Sequence, residues 1–224
     1  MITLQNEWSG YYPNASVGIL IIRDVQNFPA HEKLNLVKRE LEERLREKYS
    51  GLTRNELKSI HPIDTFVAYY KKFGYSYHVL HQLESVIRGK SIPNVSSLVE
   101  AMFTAELKNM LLTAGHDFKK ISLPLECKLS TGKEQYTGIN GKNLTTVRND
   151  MIITDAEGVL SSILRGPDLR TPINQDTTRV LFTAYAPPGI KEALVYQHLD
   201  DIETYIRVIS EKSKTDTKQV YNSA

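Results

Sequence analysis

Cysteine is almost missing from this chain: Cys127 is the single one in 224 residues. That excludes an internal disulfide and a zinc cluster built on thiolates. Long apolar runs are missing too. The longest fall far short of the roughly 18 residues a bilayer span requires, so no transmembrane helix is expected. The opening segment, MITLQNEWSGYYPN, has neither a basic n-region nor an apolar h-region and does not read as a secretory signal. The expected compartment is therefore the cytoplasm, and no membrane is expected as a partner. Nor is there an excess of one charge, since the formal net charge is +2. Near-neutrality permits a local basic patch but does not argue for nucleic acid. The familiar catalytic motifs are absent: no GxGxxG after a strand, no GxSxG elbow, no cysteine–histidine constellation. Gly89-Lys90-Ser91 resembles the end of a phosphate loop, yet Glu84 stands where the leading glycine belongs. His78 and His81 form a possible metal pair, but no third ligand lies in sequence reach and no HExxH surrounds them, so packing is the better reading. Neither a metal nor a cofactor is expected.

What is present is an ordinary globular composition, 41% hydrophobic and 24% charged. The length suits one large domain, or one domain with a small appendage. Ser16 to Arg23 (SVGILIIR) reads as a buried strand. From Pro29 to about Tyr49 the chain reads as a charged helix with one narrow apolar stripe, Leu34, Val37, Leu41 and Leu45; its charges are expected to be solvated. Thr53 to Glu56 is a capping box that starts a short helix. Pro62 opens another, Ile63 to Phe73, closed by Gly74, and His78 to Arg88 is a third, closed by Gly89. A long amphipathic helix is expected from about Val95 to Leu112, capped by Asn94 and ending near Gly115, with Leu98, Met102, Ala105 and Met110 inward. From Leu123 onward the period turns strand-like, and Asn140-Gly141 signals a hairpin. Pro187-Pro188-Gly189 breaks the chain before a last helix, about 191 to 210. The polar segment 211–224 is expected to be a frayed tail. Helices first and strands later, around one sheet, indicate an α+β domain.

The stretch from Met151 to Tyr185 is the part the rest serves. Three runs rich in β-branched and aromatic residues read as strands: Met151 to Ile153, Val159 to Leu164 and Thr178 to Tyr185. Between the last two lies Arg165-Gly166-Pro167-Asp168-Leu169-Arg170-Thr171-Pro172. Polar groups held on a loop by rigid strands commonly form a binding site, although a solvated turn with a surface ion pair fits this loop equally well.

Several separated stretches, taken in order, resemble a known family. They are Tyr70-Lys71-Lys72-Phe73-Gly74, Leu83 to Lys90 with Ile92-Pro93, Val95 to Glu100, Glu106-Leu107-Lys108, Gly115-His116-Asp117, Asp155-x-x-Gly158-Val159-Leu160, and the Arg165 to Thr178 loop. Order and spacing are similar to freestanding B3/B4-domain proteins, relatives of the editing module in the β subunit of bacterial phenylalanyl-tRNA synthetase. The resemblance covers about Ser16 to Ala186. It implies a single B3/B4-like α+β domain over about 1–210, with a central, mostly antiparallel sheet packed by helices. It also implies a trans-editing aminoacyl-tRNA deacylase whose partner is the aminoacylated 3′ end of a tRNA. Family relatives hydrolyse tyrosine wrongly esterified to phenylalanine tRNA, or clear canavanine from arginine tRNA.

Carried over by position, the family's specificity acid falls on Asp168 in Gly166-Pro167-Asp168. The family's pocket asparagine is replaced here by Phe103. Its histidine stands three residues before an aspartate, whereas His116 is directly beside Asp117. The resemblance thus implies Arg165, the backbone around Gly166, and His116 as the catalytic groups. Asp168, Glu106, Lys108, Asp117, Phe103 and Thr171 form the substrate pocket, and Lys71, Lys72, Arg88 and Lys90 the tRNA contact. An aminoacyl ester is already activated, so a positioned water and oxyanion donors suffice without a covalent nucleophile. Asp168 would read a cationic or hydroxyl-bearing side chain. For single residues, blander roles stay open: a loop-packing His116, a turn-capping Asp117, and core packing rather than base stacking for Tyr69, Tyr70, Tyr75 and Tyr77. The alternatives to a deacylase are a non-catalytic RNA- or aminoacyl-tRNA-binding module, and a small-molecule or protein-binding domain that keeps only the fold.

Overall fold

The structure is a computed structural model and describes residues 2–223. Strand β1 (Ile2–Leu4), the short helix α1 (Asn6–Tyr11) and strand β2 (Ser16–Arg23) come first. A run of helices follows: α2 (Glu32–Tyr49), α3 (Arg54–Lys58), α4 (Ile63–Lys72), α5 (His78–Ile87) and α6 (Ser97–Asn109). The chain then turns to strands: β3 (Leu112–Asp117), β4 (Leu125–Leu129), β5 (Gln135–Thr137), β6 (Asn143–Thr145), β7 (Met151–Asp155), β8 (Gly158–Ser162), β9 (Gly166–Pro167) and β10 (Arg179–Ala186). Helix α7 (Glu192–Ile209) and strand β11 (Lys214–Asn222) close the chain.

This is a mixed α+β fold with mostly antiparallel pairing, as expected. In place of the one central sheet expected, the strands are divided between two main sheets and a hairpin: β1-β4-β7-β8-β9, β11-β2-β10-β3, and β5-β6. Among the described residues only β1 with β4 forms a parallel ladder. β2 is buried along its length except at Arg23, which explains its uninterrupted apolar run. The Tyr185 hydroxyl lies 2.6 Å from Ser161 Oγ, tying β10 of one sheet to β8 of the other. Strands β3 and β9 occupy the free ends of their two sheets and face one another.

Three further expectations need correction. The segment from Glu211 is not a frayed tail, because β11 pairs with β2 from Lys214 to Asn222. Val220 is its one buried residue, and Lys218 pairs with Asp200 and Glu203 of α7, so the segment lacks an apolar run yet forms an edge strand. The long helix starts at Ser97, not after Asn94, and ends at Asn109 rather than near Gly115. Its first turn is capped from outside: Asn27 Oδ1 accepts the Leu98 N–H at 3.1 Å, while Asn94 accepts from Lys38. Met110 then takes a left-handed conformation, φ 56°, and the chain enters β3 at Leu112.

The third correction concerns the charges of α2. Lys38 and Glu42 are buried, 3% and 4% exposed. Lys38 Nζ donates to Glu100 Oε2 on α6 and to Asn94 Oδ1, both at 2.6 Å. Glu100 Oε1 in turn accepts the Val95 N–H at 2.9 Å, and Glu42 Oε1 the Ile92 N–H at 2.7 Å. These carboxylates order the connection into α6. A buried ion pair contributes little net stability, but removing one partner strands the other. Lys38→Ala should therefore destabilise the fold by about 3–5 kcal/mol in denaturant unfolding, and the Lys38→Met/Glu100→Leu pair by clearly less. Equal losses in both proteins would show that the pair is not the reason.

Candidate functional site

Helix α6 is enclosed on nearly every side, which its sequence explains: small or apolar residues recur all round it (Leu98, Ala101, Met102, Ala105, Leu107). Its remaining face is Val99, Met102, Phe103 and Glu106, spaced three and four apart and so aligned on one side. That face forms one wall of a cavity of about 360 Å³. Leu112 to Gly115 of β3 form the second wall, and Ile163, Gly166, Pro167, Pro172 and Ile173 the third. Tyr185, Ser162, His78, Val95 and Ile139 complete it. The size is in the range of small-molecule sites, and the walls are overwhelmingly apolar. The chain turns sharply into the third wall at Gly166, whose φ of +82° suits glycine.

Glu106 is the ionisable group on the α6 wall. It is 2% exposed, and its Oε1 accepts the Thr113 N–H at 2.7 Å. Oε2 has no hydrogen-bond partner among the described residues. Burial raises its carboxyl from the usual 4.5 to about 8, opposed only by the Thr113 N–H, so at neutral pH it is largely protonated. Thr113 is fixed from behind: its Oγ1 lies 2.6 Å from His198 Nε2 on α7, and the His198 Nδ1 lies 3.3 Å from Asn109 Nδ2. Burial pushes His198 down to about 4, so it is a neutral hydrogen-bonding partner.

Of the residues expected at the site, Phe103, Glu106 and Gly166 line the cavity. His116, Asp168 and Thr171 come together behind the wall, not in the cavity. Thr171 Oγ1 donates to Asp168 Oδ1 at 2.5 Å and sits 2.8 Å from His116 Nδ1. His116 is fully buried, and burial, with the Arg170 cation adding to it, pushes the imidazole down to about 3. A base role for His116 is thus corrected: it lacks access to the cavity and its ring anchors the loop. The same holds for Asp168 as a side-chain reader. Its Oδ1 is taken by Thr171, and Arg170 Nε stands 3.5 Å from its Oδ2.

Arg165 points outward, its guanidinium 5.0 Å from the Tyr75 ring centroid, a cation–π contact rather than an oxyanion donor. Lys108 lies around the helix from Glu106 and donates to Asp201 of α7 at 2.6 Å, away from the cavity. Asp117 accepts the Lys119 N–H and the Thr177 hydroxyl; it caps the turn after β3. Lys71, Lys72, Arg88 and Lys90 are all exposed. Lys71 shares a depression with Arg54, Lys58 and Tyr75, whereas Lys72 sits by Pro187 and Pro188. Arg88 and Lys90 lie beyond α5, where Arg46 of α2 donates to the carbonyls of Val86 and Lys90. Of the four tyrosines, Tyr69, Tyr70 and Tyr77 are buried and use their hydroxyls structurally, on Asp150, the Ile163 carbonyl and the Met110 carbonyl.

Sequence reasoning missed the wall formed by β3, because it carried the helix through Leu112. The available signal was Leu111-Leu112-Thr113, an apolar and β-branched run just before a glycine. It also missed Asp150, which accepts from Tyr69 at 2.8 Å and from the Ser162 hydroxyl and holds the start of the third wall. Nothing local marks that aspartate.

No protein-family profile matches the chain, and no curated protein matches its sequence. Solved structures do match it in shape. One is the crystal structure of an N-terminal fragment of the phenylalanyl-tRNA synthetase β-subunit from Pyrococcus horikoshii, at a TM-score of 0.50 and 12% identity. The match covers 98% of this chain and 53% of that one, so the chain spans about half the length of the solved fragment. At this identity the likeness is one of fold.

The Glu106 environment makes a pH prediction with a definite sign. The folded protein retains a proton that the unfolded chain releases above about pH 4.5, so this group's stabilisation is full below that value and is lost as pH rises toward 8. Buried histidines act in the opposite sense, below about 6.5, but they are common to wild type and variant. Glu106→Gln keeps an acceptor for Thr113 and cannot ionise. Relative to it, wild-type stability should fall by on the order of a few kcal/mol between pH 5 and pH 9 in denaturant titrations. A difference that stays constant over that range would show that Glu106 is ionised in the fold throughout.

Proposed function

We propose that this chain hydrolyses the ester of a mischarged aminoacyl-tRNA, working without a synthetase body. The observation that carries the reading is the cavity between α6, β3 and the 163–173 segment: apolar, of amino-acid scale, and bounded by main-chain polar groups on a fold similar to a phenylalanyl-tRNA synthetase fragment. Val99, Met102 and Phe103 suit an uncharged side chain, and a protonated Glu106 offers one hydrogen bond at its inner end without favouring a cation. This replaces Asp168 by Glu106 as the group that reads the side chain. Water is the nucleophile in this reading. The Ser162 hydroxyl on the cavity is already committed as a donor to Asp150, and a positioned water meets the modest demand of an activated ester. Exposed Lys71 and Lys72, with Arg88 and Lys90, are the groups assigned to the acceptor-stem phosphates.

One observation favours a second reading, a non-catalytic aminoacyl-tRNA binder: the expected base, His116, is sealed from the cavity. Incubation with a panel of mischarged tRNAs separates the two. Turnover beyond one equivalent supports hydrolysis; stoichiometric protection of the ester supports binding. On the substrate that is turned over, Phe103→Trp should lower kcat/KM at least about tenfold by filling the cavity, with the melting temperature little changed. Unaltered kcat/KM would place the reaction elsewhere. Neutralising Lys71, Lys72, Arg88 and Lys90 together should flatten the log-log salt dependence of tRNA binding by roughly 0.7–0.9 for each phosphate left without its cation. An unchanged slope would remove these residues from the tRNA interface.

A further inference from the structure

β3 is the outer strand of its sheet, paired with β10 on one side only. In an antiparallel strand alternate residues direct both N–H and C=O to the same side. The Thr113 N–H goes to Glu106 Oε1, and the Asp117 N–H goes to the Thr171 carbonyl at 2.9 Å. Neither bond is to β10, so residues 113, 115 and 117 present their main-chain groups to the outer edge. That edge is covered at both ends, by a helix side chain and by the loop after β9. Between the two lies Gly115, on the cavity wall and partly exposed. Its N–H and C=O, and the C=O of Thr113, have no partner among the described residues.

An unpaired strand edge is a template for another extended main chain, offering donors and acceptors in alternation. Here the template is one residue long, with an apolar chamber beside it. A Cβ at Gly115 would stand 2.8 Å from Ile173 Cδ1 and 3.2 Å from Met102 Sδ, so glycine also keeps this gap open.

We propose that the Gly115 N–H is the main-chain donor that receives the carbonyl oxygen of an α-aminoacyl group, whose side chain enters the chamber beside Met102 and Phe103. The Thr113 and Gly115 carbonyls accept from its α-ammonium group. The edge therefore reads the aminoacyl main chain, and the chamber reads the side chain. The assignment deepens the deacylase reading and rests on it for the ligand class. In the hydrolysis, water oxygen bonds to the ester carbon while the carbonyl π pair moves onto oxygen, held by the Gly115 N–H. When that pair returns, the carbon–oxygen bond to ribose breaks, and the ribose oxygen takes the proton given up by the water. A single oxyanion donor of this kind is typically worth about 10²–10³ in rate.

The test uses the full chain with ¹⁵N-glycine and ¹³C-methyl-methionine labels, few enough to resolve, since there are 12 glycines and 4 methionines. The probes are hydrolysis-resistant 3′-aminoacylamino-3′-deoxyadenosines carrying leucyl, methionyl, phenylalanyl and tyrosyl groups. The Gly115 peak is identified by its loss in Gly115→Ala. The expected result is saturable movement of the Gly115 amide and the Met102 methyl together. Movement of Met102 with a still Gly115 overturns the assignment and leaves the aminoacyl pocket standing. No movement of either, in a protein that does turn over a mischarged tRNA, overturns the assignment and places the activity elsewhere; with no turnover, both readings fall. A second measurement is kinetic. Proline is tolerated where an edge N–H faces outward, and both variants add the same Cβ beside Ile173 and Met102, so Gly115→Pro should cut kcat about 10²–10³-fold further than Gly115→Ala, which keeps the donor. Equal losses in two folded variants would assign the effect to bulk and overturn the donor role.

Discussion

The bond from the Thr113 N–H to Glu106 holds the cavity open. It joins the enclosed helix to an unpaired sheet edge with a side chain rather than a strand, so that edge is satisfied without being covered. Across the gap the loop after β9 does the same at Asp117 through the Thr171 carbonyl. With a full strand beside β3 there would be no chamber. With neither contact, two buried N–H groups would lack partners, a cost of about 1–3 kcal/mol each.

Much of the remaining polar network serves to fix these two contacts. Lys38 and Asn27 locate the start of α6, and Tyr77 holds its end through the Met110 carbonyl. His116, Thr171 and Asp168 fix the loop from behind, while Asp150 and Tyr70 fix its first residues through Ser162 and the Ile163 carbonyl. Residues resembling a catalytic set therefore act as a frame. Burial holds His116 and His198 neutral and Glu106 protonated, so these three groups carry no isolated charge into the low-dielectric interior.

The elements that rely on local chemistry were legible. The Thr53 capping box, the proline and glycine punctuation of α4 and α5, the Asn140-Gly141 hairpin and the strands β2, β7, β8 and β10 all follow from propensity, period and turn residues. The site was legible only in part. Phe103, Glu106 and Gly166 do line one cavity. Which side Asp168 or His116 faces depends on the pairing of β8 with β9 and of β3 with β10, contacts between residues far apart in the chain.

The sequence alone determined the α+β class, the helical first half, the strand-rich second half and the glycine at position 115. Period and propensity act over a few residues and need no partner. The tertiary structure decided that Lys38 and Glu42 are buried, that Lys214 to Asn222 is a strand, and that β3 keeps an open edge. Each of these depends on a distant segment supplying, or withholding, a hydrogen-bond partner.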